Sequence, residues 1–176
     1  MELHFRLAEE PDYAAIDALV EEAYTHDYGP READENELNT AAGRVKNGFQ
    51  VWAVERESAS ESCELVATIT TQTPGKPAIH EDAHADEFDL RLLAVSPKAR
   101  RAGIGRAVIE FVISYAGEHG YPTVFLKTGE NMLGAQKLYE NMGFTRHVDR
   151  QGVWINGVNV FDARSYTYPT GIGVSQ

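Results

Sequence analysis

Residues 91–116 read RLLAVSPKARRAGIGRAVIEFVISYA. An apolar run closes at Ser96 and Pro97, arginines stand at 100 and 101, and glycines follow at 103 and 105. A helical period then begins. Ile104, Ala107, Val108, Phe111, Val112 and Tyr115 share one face, widened by Ile109 and Ile113. The stretch reads as strand, turn, helix. The first turn of such a helix leaves backbone N–H groups without intrahelical partners and carries the positive end of the helix dipole. Glycine lets that backbone come close to a ligand, and Arg100, Arg101 and Arg106 add formal charge. These are the parts of a phosphate or pyrophosphate seat. A P-loop would need a lysine followed by Ser or Thr after the glycines, and a dinucleotide fingerprint would need a third glycine where Val108 stands. Neither fits.

Working outward, residues 88–95 are the strand feeding this turn and 123–128 (TVFLKT) are a second buried strand. A first strand is expected at 3–8, then a helix capped by Asp12 that turns Ile16, Leu19, Val20 and Ala23 inward and breaks at Gly29 and Pro30. A weaker helix is expected from Asp34 to Lys46 with Leu38, Ala41 and Val45 on one face, stopped by Gly48. Strands at 49–55 and 64–72 flank a Ser-rich hairpin loop. Residues 73–86, with Pro74, Gly75 and Pro77, read as an irregular excursion. A short helix carries Ala135, Leu138, Tyr139 and Met142 inward and ends at Gly143, and the tail holds one or two strands with a turn at Asn156–Gly157. The chain reads as one mixed α/β domain, residues 1–176 with a core over 3–168.

The 176 residues suffice for one core, and 43% hydrophobic with 24% charged residues is ordinary for a globular chain. One cysteine, Cys63, excludes an internal disulfide framework and suits a reducing cytoplasm. The charged start, MELHFRLAEEPDY, predicts no signal peptide, and no stretch approaches the length of a membrane span. A net charge of −11 argues against nucleic-acid or anionic-membrane partners. The arginines at 100, 101 and 106 are a local exception to it.

A rival signature lies upstream. His80-Glu81-Asp82-Ala83-His84 fits H-E-x-x-H, in which two histidines on one helical face bind zinc and the glutamate serves as base. Glu87 would be an available third ligand of a zinc hydrolase. That motif belongs inside a long helix packed on a core, and here it sits in a Pro- and acid-rich excursion without an apolar face. The expectation is a solvated acidic loop and no metal.

Leu93-Ala94-Val95 followed by Arg100, Gly103 and Gly105 strongly resembles the acetyl-CoA motif of the GNAT N-acetyltransferases, an L-x-V strand end and [RQ]-x-x-G-x-[GA]. AQKLYENMGF (135–144) matches the family's A-x-x-L-Y-x-x-x-G-F independently, through Ala135, Leu138, Tyr139, Gly143 and Phe144. The close likeness covers residues 89–146. It implies an α/β (α+β) GNAT fold: a central mixed, mostly antiparallel sheet with a splayed parallel strand pair, flanked by about four helices. It also implies acetyl-CoA as co-substrate, with acetyl passing directly to a primary amine of a small molecule or peptide in a ternary complex. The pyrophosphate would lie on the amides around Ala102, Gly103, Ile104, Gly105 and Arg106, beside Arg100 and Arg101. The pantetheine arm would pair with the main chain of Leu93, Ala94 and Val95, and the thioester would enter where the parallel pair parts.

Transfer to an amine needs a group to take the ammonium proton and an acid for the leaving thiolate. Tyr139 matches the family's usual acid, and it also falls on the helix's apolar face. Asp89 stands six residues before Val95, where many members carry a glutamate base; Glu87 is its same-face alternative. Strand alternation puts Asp89, Arg91 and Leu93 on one face, where Asp89 and Arg91 would otherwise form a solvated pair. Many members place an asparagine seven residues before the tyrosine. Asn131 is eight before Tyr139, a rotation of about 100° on a helix, so it serves either as a CoA contact or as a cap of the final helix. By the same resemblance, Tyr24, Tyr28 and Arg31 fall in the region that lines the acceptor site in related folds. A non-catalytic acyl-CoA-binding protein of the same fold is the alternative, and a dimer through the C-terminal strands is one arrangement the sequence leaves open.

Overall fold

The computed structural model describes residues 2–30 and 35–172, which form nine strands and four α-helices. The chain divides into two units of two segments each. One holds the residues up to Thr71 with Leu92–Val108, and the other holds Gln72–Arg91 with the residues from Ile109 onward.

In the first unit, β1 (Leu3–Leu7), β2 (Gln50–Glu57) and β3 (Cys63–Thr71) pair antiparallel in that order. Helix α1 (Tyr13–Tyr28) buries Ile16, Leu19, Val20 and Ala23, the face its period foretells. Ile16 packs with Ala41, Val51 and Ala53, while Val20 and Ala23 meet Ala94. Full burial of side chains as large as Ile16 or Leu19 stabilises by about 1.5–3 kcal/mol each. Asp12 stands at the head of α1, but its carboxylate does not cap it. It accepts Arg6 at 2.7 and 2.9 Å and the Glu9 amide at 2.8 Å. The Arg6 guanidinium holds the Asp12 carboxyl down to about 2.

The expected helix over 34–46 is shorter than its pattern. Asp34 lies outside the described residues. A 3₁₀ turn at Glu37–Asn39 is followed by α2 (Ala41–Lys46), separated by extended Thr40, whose hydroxyl accepts the Gly43 amide at 3.0 Å. Val45 is exposed rather than inward, because a helix this short buries one flank only. A Cβ on Gly43 would lie 1.8 Å from the Glu37 carbonyl oxygen, so only glycine permits this tight junction.

In the second unit, the start of β4 (Glu87–Val95) pairs parallel with β5 (Thr123–Gly129) at three positions, Glu87↔Thr123, Phe88↔Val124 and Asp89↔Phe125. β5 continues antiparallel into β9 (Ala163–Pro169), and β9 into β6 (Thr145–His147). The tail therefore holds more strands than its pattern suggests: β6, a separate hairpin of β7 (Val153–Ile155) and β8 (Val158–Phe161), and β9. Asn156 and Gly157 turn that hairpin with φ of 50° and 77°, the two left-handed residues of a type I′ turn. Helix α3 (Ile104–Glu118) buries Ile109, Val112 and Ala116 in this unit. Helix α4 (Leu133–Met142) ends at left-handed Gly143 and buries Gln136 and Tyr139, with Ala135, Leu138 and Met142 only half-buried. No described helix is long and apolar enough to cross a membrane.

Candidate active site

The glycine loop belongs to the first unit and is fixed from below. The Ser96 amide donates to the Val66 carbonyl at 2.8 Å, and the Ser96 hydroxyl accepts the Lys98 amide in the 3₁₀ turn Pro97–Ala99. Arg100 then folds back. Its Nε donates to the Val95 carbonyl at 3.1 Å and its Nη1 to Asp27 Oδ1 at 2.9 Å. Burial opposes the charge on Asp27, yet Arg100 and His26 hold its carboxyl below the usual range. Arg100 thus latches strand end to helix, while Arg101, Ala102, Gly103 and Arg106 are exposed.

Two left-handed residues, Arg101 at φ 64° and Gly103 at φ 74°, swing the chain into α3. Buried Ile104 anchors the first turn, and the first helical bond runs from the Ala107 amide to the Gly103 carbonyl at 3.0 Å. The amides of Ile104, Gly105 and Arg106 therefore belong to the open end of the helix. Nothing lies within 4 Å of a Cβ placed on Gly103. Exposed Arg101 and Arg106 stand beside these amides.

Leu93 and Val95 are half-buried and Ala94 is buried. Just before them Leu92 adopts φ 56°, a conformation costing a non-glycine residue roughly 1–3 kcal/mol. It interrupts the strand's alternation, so the regular two-face pattern does not run through β4.

Asp89 departs from the expected solvated pair with Arg91. It is fully buried, and its carboxylate accepts the Ile79 amide at 3.0 Å, the His80 amide at 2.6 Å and His80 Nδ1 at 3.1 Å. Its own amide donates to Gln72 Oε1 at 3.1 Å. Glu87, two residues earlier, makes a bidentate pair with Arg150, both bonds 2.7 Å, and accepts the His84 amide. Burial works against the Glu87 charge, but Arg150 holds its carboxyl below the ordinary carboxylate range.

These partners account for the H-E-x-x-H letters. Residues 80–84 are bend, turn and irregular chain, not helix, so His80 and His84 share no helical face. Glu81 accepts the Asn156 and Gly157 amides at 2.6 and 2.7 Å and so closes the type I′ turn. Asp82 accepts Lys127 Nζ at 2.8 Å, and His84 lies beside Glu87. Among the described residues no group of three or more His, Cys, Asp or Glu is placed to hold a metal ion. The excursion is a hydrogen-bonded scaffold rather than the solvated loop its composition suggested.

Tyr139 is buried and packs on Phe144 and Tyr166, centroids 5.3 and 6.1 Å away. Asn131 is exposed and does not cap α4, whose N-cap is Met132 without a side-chain bond. Gln136 Nε2 instead reaches the Gly129 carbonyl at 2.9 Å. Tyr24 and Tyr28 stack at 5.6 Å, and burial pushes the Tyr28 hydroxyl up; Arg31 lies outside the described residues. Sequence reasoning missed the buried cation of Lys127. Its Nζ also donates to the Gly152 carbonyl at 2.7 Å and Ser165 Oγ at 3.0 Å, and burial pushes its pKa down against the pull of Asp82. No local signal marks it, since its partners lie 23 to 45 residues away.

These features define an α/β protein with a short parallel strand pair and a glycine loop at the head of a helix. Residues 13–144 match the model of the Acetyltransferase (GNAT) family, and the chain belongs to that family. Human N-acetyltransferase 8 is 41% identical over 101 residues, covering 57% of this chain and 40% of that protein. The matched stretches span 26–41% of the relatives of this kind, well under half their length. Among solved structures, a GNAT acetyltransferase from Staphylococcus aureus Mu50 superposes with a TM-score of 0.70 at 15% identity, over 96% of this chain and 99% of that one. An acetyltransferase from Salmonella typhimurium, solved with its cofactor acetyl-CoA, gives 0.64 at 16% identity, over 100% and 98%. At such identities the structures establish the fold.

Proposed function

We propose that this chain transfers acetyl from acetyl-CoA directly to a primary amine in a ternary complex. The observation that carries the reading is the loop 100–106. Its left-handed Arg101 and Gly103 present the open end of α3, with exposed Arg101 and Arg106 beside it and free space above Gly103. That arrangement suits a pyrophosphate. The bound acetyl-CoA of the Salmonella neighbour supports the same co-substrate here.

In this reading the amides of Ala102 to Arg106 bind the pyrophosphate, and the main chain of Leu93 to Val95 pairs with the pantetheine arm. A backbone N–H at that strand end polarises the acetyl carbonyl. Tyr139 returns a proton to the departing thiolate, and Asp89 belongs to the machinery that takes the amine's proton. Asn131 flanks the cofactor. A negatively charged chain attracts a cationic amine, and an exposed single thiol at Cys63 suits the cytoplasm.

Calorimetric titration of acetyl-CoA, followed by a thiol-release assay across polyamines, amino acids and peptides, tests this. Micromolar binding and amine-dependent CoA release are expected. Binding without release for any amine would leave a non-catalytic acyl-CoA-binding protein, and no binding would remove the reading.

A further inference from the structure

Asp89 is buried to 0% exposure with both carboxylate oxygens already accepting, one from the Ile79 amide and the other from the His80 amide and ring. With three accepted bonds and no exposed surface, this carboxylate is closed to an incoming ammonium. Its geometry is that of an orienting group. A carboxylate oxygen only accepts, so the ring nitrogen 3.1 Å away must be the one that carries hydrogen. The neutral imidazole is thereby held as the Nδ1–H tautomer, and its Nε2 keeps a lone pair. Among the described residues that Nε2 carries no hydrogen bond, and it is not a fully buried atom. The His80 side chain is 12% exposed.

The position of the ring is as informative as its bonding. Asp89↔Phe125 is the last paired position of the parallel strands, and His80 touches both members. It bonds Asp89 and sets its ring edge-on to Phe125, centroids 5.9 Å apart at 87°. The imidazole therefore stands where β4 and β5 part. Its seat is fixed from three sides: two main-chain amides of the excursion on Asp89, Gln72 on the Asp89 amide, and Glu81 tying the excursion to the hairpin turn.

We infer that His80 is the general base of the transfer reaction and that Asp89 is its positioning residue. This rests on the acetyltransferase reading above. An R–NH₃⁺ acceptor gives one proton to His80 Nε2, which later passes it to solvent. The freed nitrogen lone pair attacks the thioester carbonyl carbon, forming the C–N bond. The C–S bond then breaks with its electron pair moving to sulfur, which takes the Tyr139 proton. The second proton leaving nitrogen restores Tyr139. The products are the acetamide, CoA thiol and one released proton.

The test uses the full chain and two substitutions, His80→Gln and Asp89→Asn, with the most active amine from the thiol-release screen. His80→Gln is expected to bind acetyl-CoA as the wild type does and to lower kcat by 10²–10⁴-fold, the usual range for a general base, with KM for the amine within a few-fold. Asn at 89 removes the carboxylate charge and sets its NH2 against one of the two main-chain amides that Asp89 accepts, so Asp89→Asn is expected to lower kcat as well, by less than His80→Gln. Nitrogen-15 NMR of the wild-type imidazole should show hydrogen on Nδ1. A His80→Gln variant within threefold of wild-type kcat overturns the inference, and so does a wild-type spectrum with hydrogen on Nε2, which needs no variant to fold. A wild type that binds no acetyl-CoA overturns the transferase reading instead.

Discussion

The loop at 96–106 and the excursion at 72–89 each carry a recognisable run of letters, and they use their polar groups in opposite ways. In the loop, the amides of the first helical turn have no intrahelical partner, and Arg100 is tied to Asp27 and the Val95 carbonyl. In the excursion, side chains saturate main-chain amides. Asp89 takes two, Glu81 takes two and Glu87 takes one. One segment presents the main-chain donors of a helix start. The other already contains its own anions, and the groups that look like metal ligands serve as its internal struts.

The sharpest way to break this contrast is to close the loop with a charge. Gly103→Glu places a carboxylate beside the amides of the first turn and forces a side chain onto a residue at φ 74°. Like charge against the pyrophosphate should raise the Kd for acetyl-CoA about a thousand-fold, roughly 4 kcal/mol. Thermal melting should fall by only a few degrees, the strain of a side chain at φ 74°, because the space above Gly103 adds no clash. Unchanged affinity in calorimetry would show that the open amides are not the anion seat.

The corresponding cut in the excursion should be felt in stability and not in cofactor affinity. Arg150→Met removes both guanidinium bonds to Glu87, leaving a buried carboxylate without its cation. Losing one partner of a buried pair is worth about 3 kcal/mol, and somewhat less here because Arg150 reaches solvent in part. The sign with pH follows from Glu87. Its carboxyl is held below the ordinary range in the folded chain, so its stabilisation is present above the unfolded value of about 4.3 and is lost as pH falls through the folded one. Without Arg150, burial alone remains and opposes the charge. The deficit of Arg150→Met in urea unfolding should therefore be greatest near neutrality and shrink toward pH 3. A deficit independent of pH would mean that the packing of Arg150 over the Phe125 ring, 4.2 Å away, outweighs the ion pair.

The same contrast explains how much could be read from sequence. The glycine loop, α1 and the Gly143 stop depend on residues within a turn or two of each other, so period and punctuation suffice. The setting of Asp89 depends on amides nine and ten residues earlier in a segment with no period, and the Glu87–Arg150 pair spans 63 residues. Leu92 runs against local preference altogether: nothing in a leucine announces φ 56°, and the expected alternation through Arg91 and Leu93 fails there. Val45 misled for a simpler reason, since a helical period says which residues share a face but not whether the helix is long enough for that face to be covered. For His80 the letters are legible but its partner is not: the ring bonds a carboxylate nine residues later, across a segment with no period, rather than sharing a helical face with the histidine four residues on.

The smallest expected effect is the response to zinc. A working H-E-x-x-H site that binds only the folded chain would stabilise it by about 2.7 kcal/mol at a hundred times its Kd, several degrees in melting temperature for a chain of this size. Here the geometry removes each ligand in turn. His80 offers only Nε2, Glu81 is bound to two amides, and His84 lies beside a Glu87 already clamped by Arg150. Assembling them would mean breaking the Asp89, hairpin and Arg150 connections together, each a charged or main-chain bond worth on the order of 1–3 kcal/mol. Equimolar zinc should thus leave the melting temperature within a degree and remain removable by dialysis. A stoichiometric ion that survives dialysis and lifts the melting point would show that the excursion rearranges around a metal, and would take the general-base role of His80 away with it.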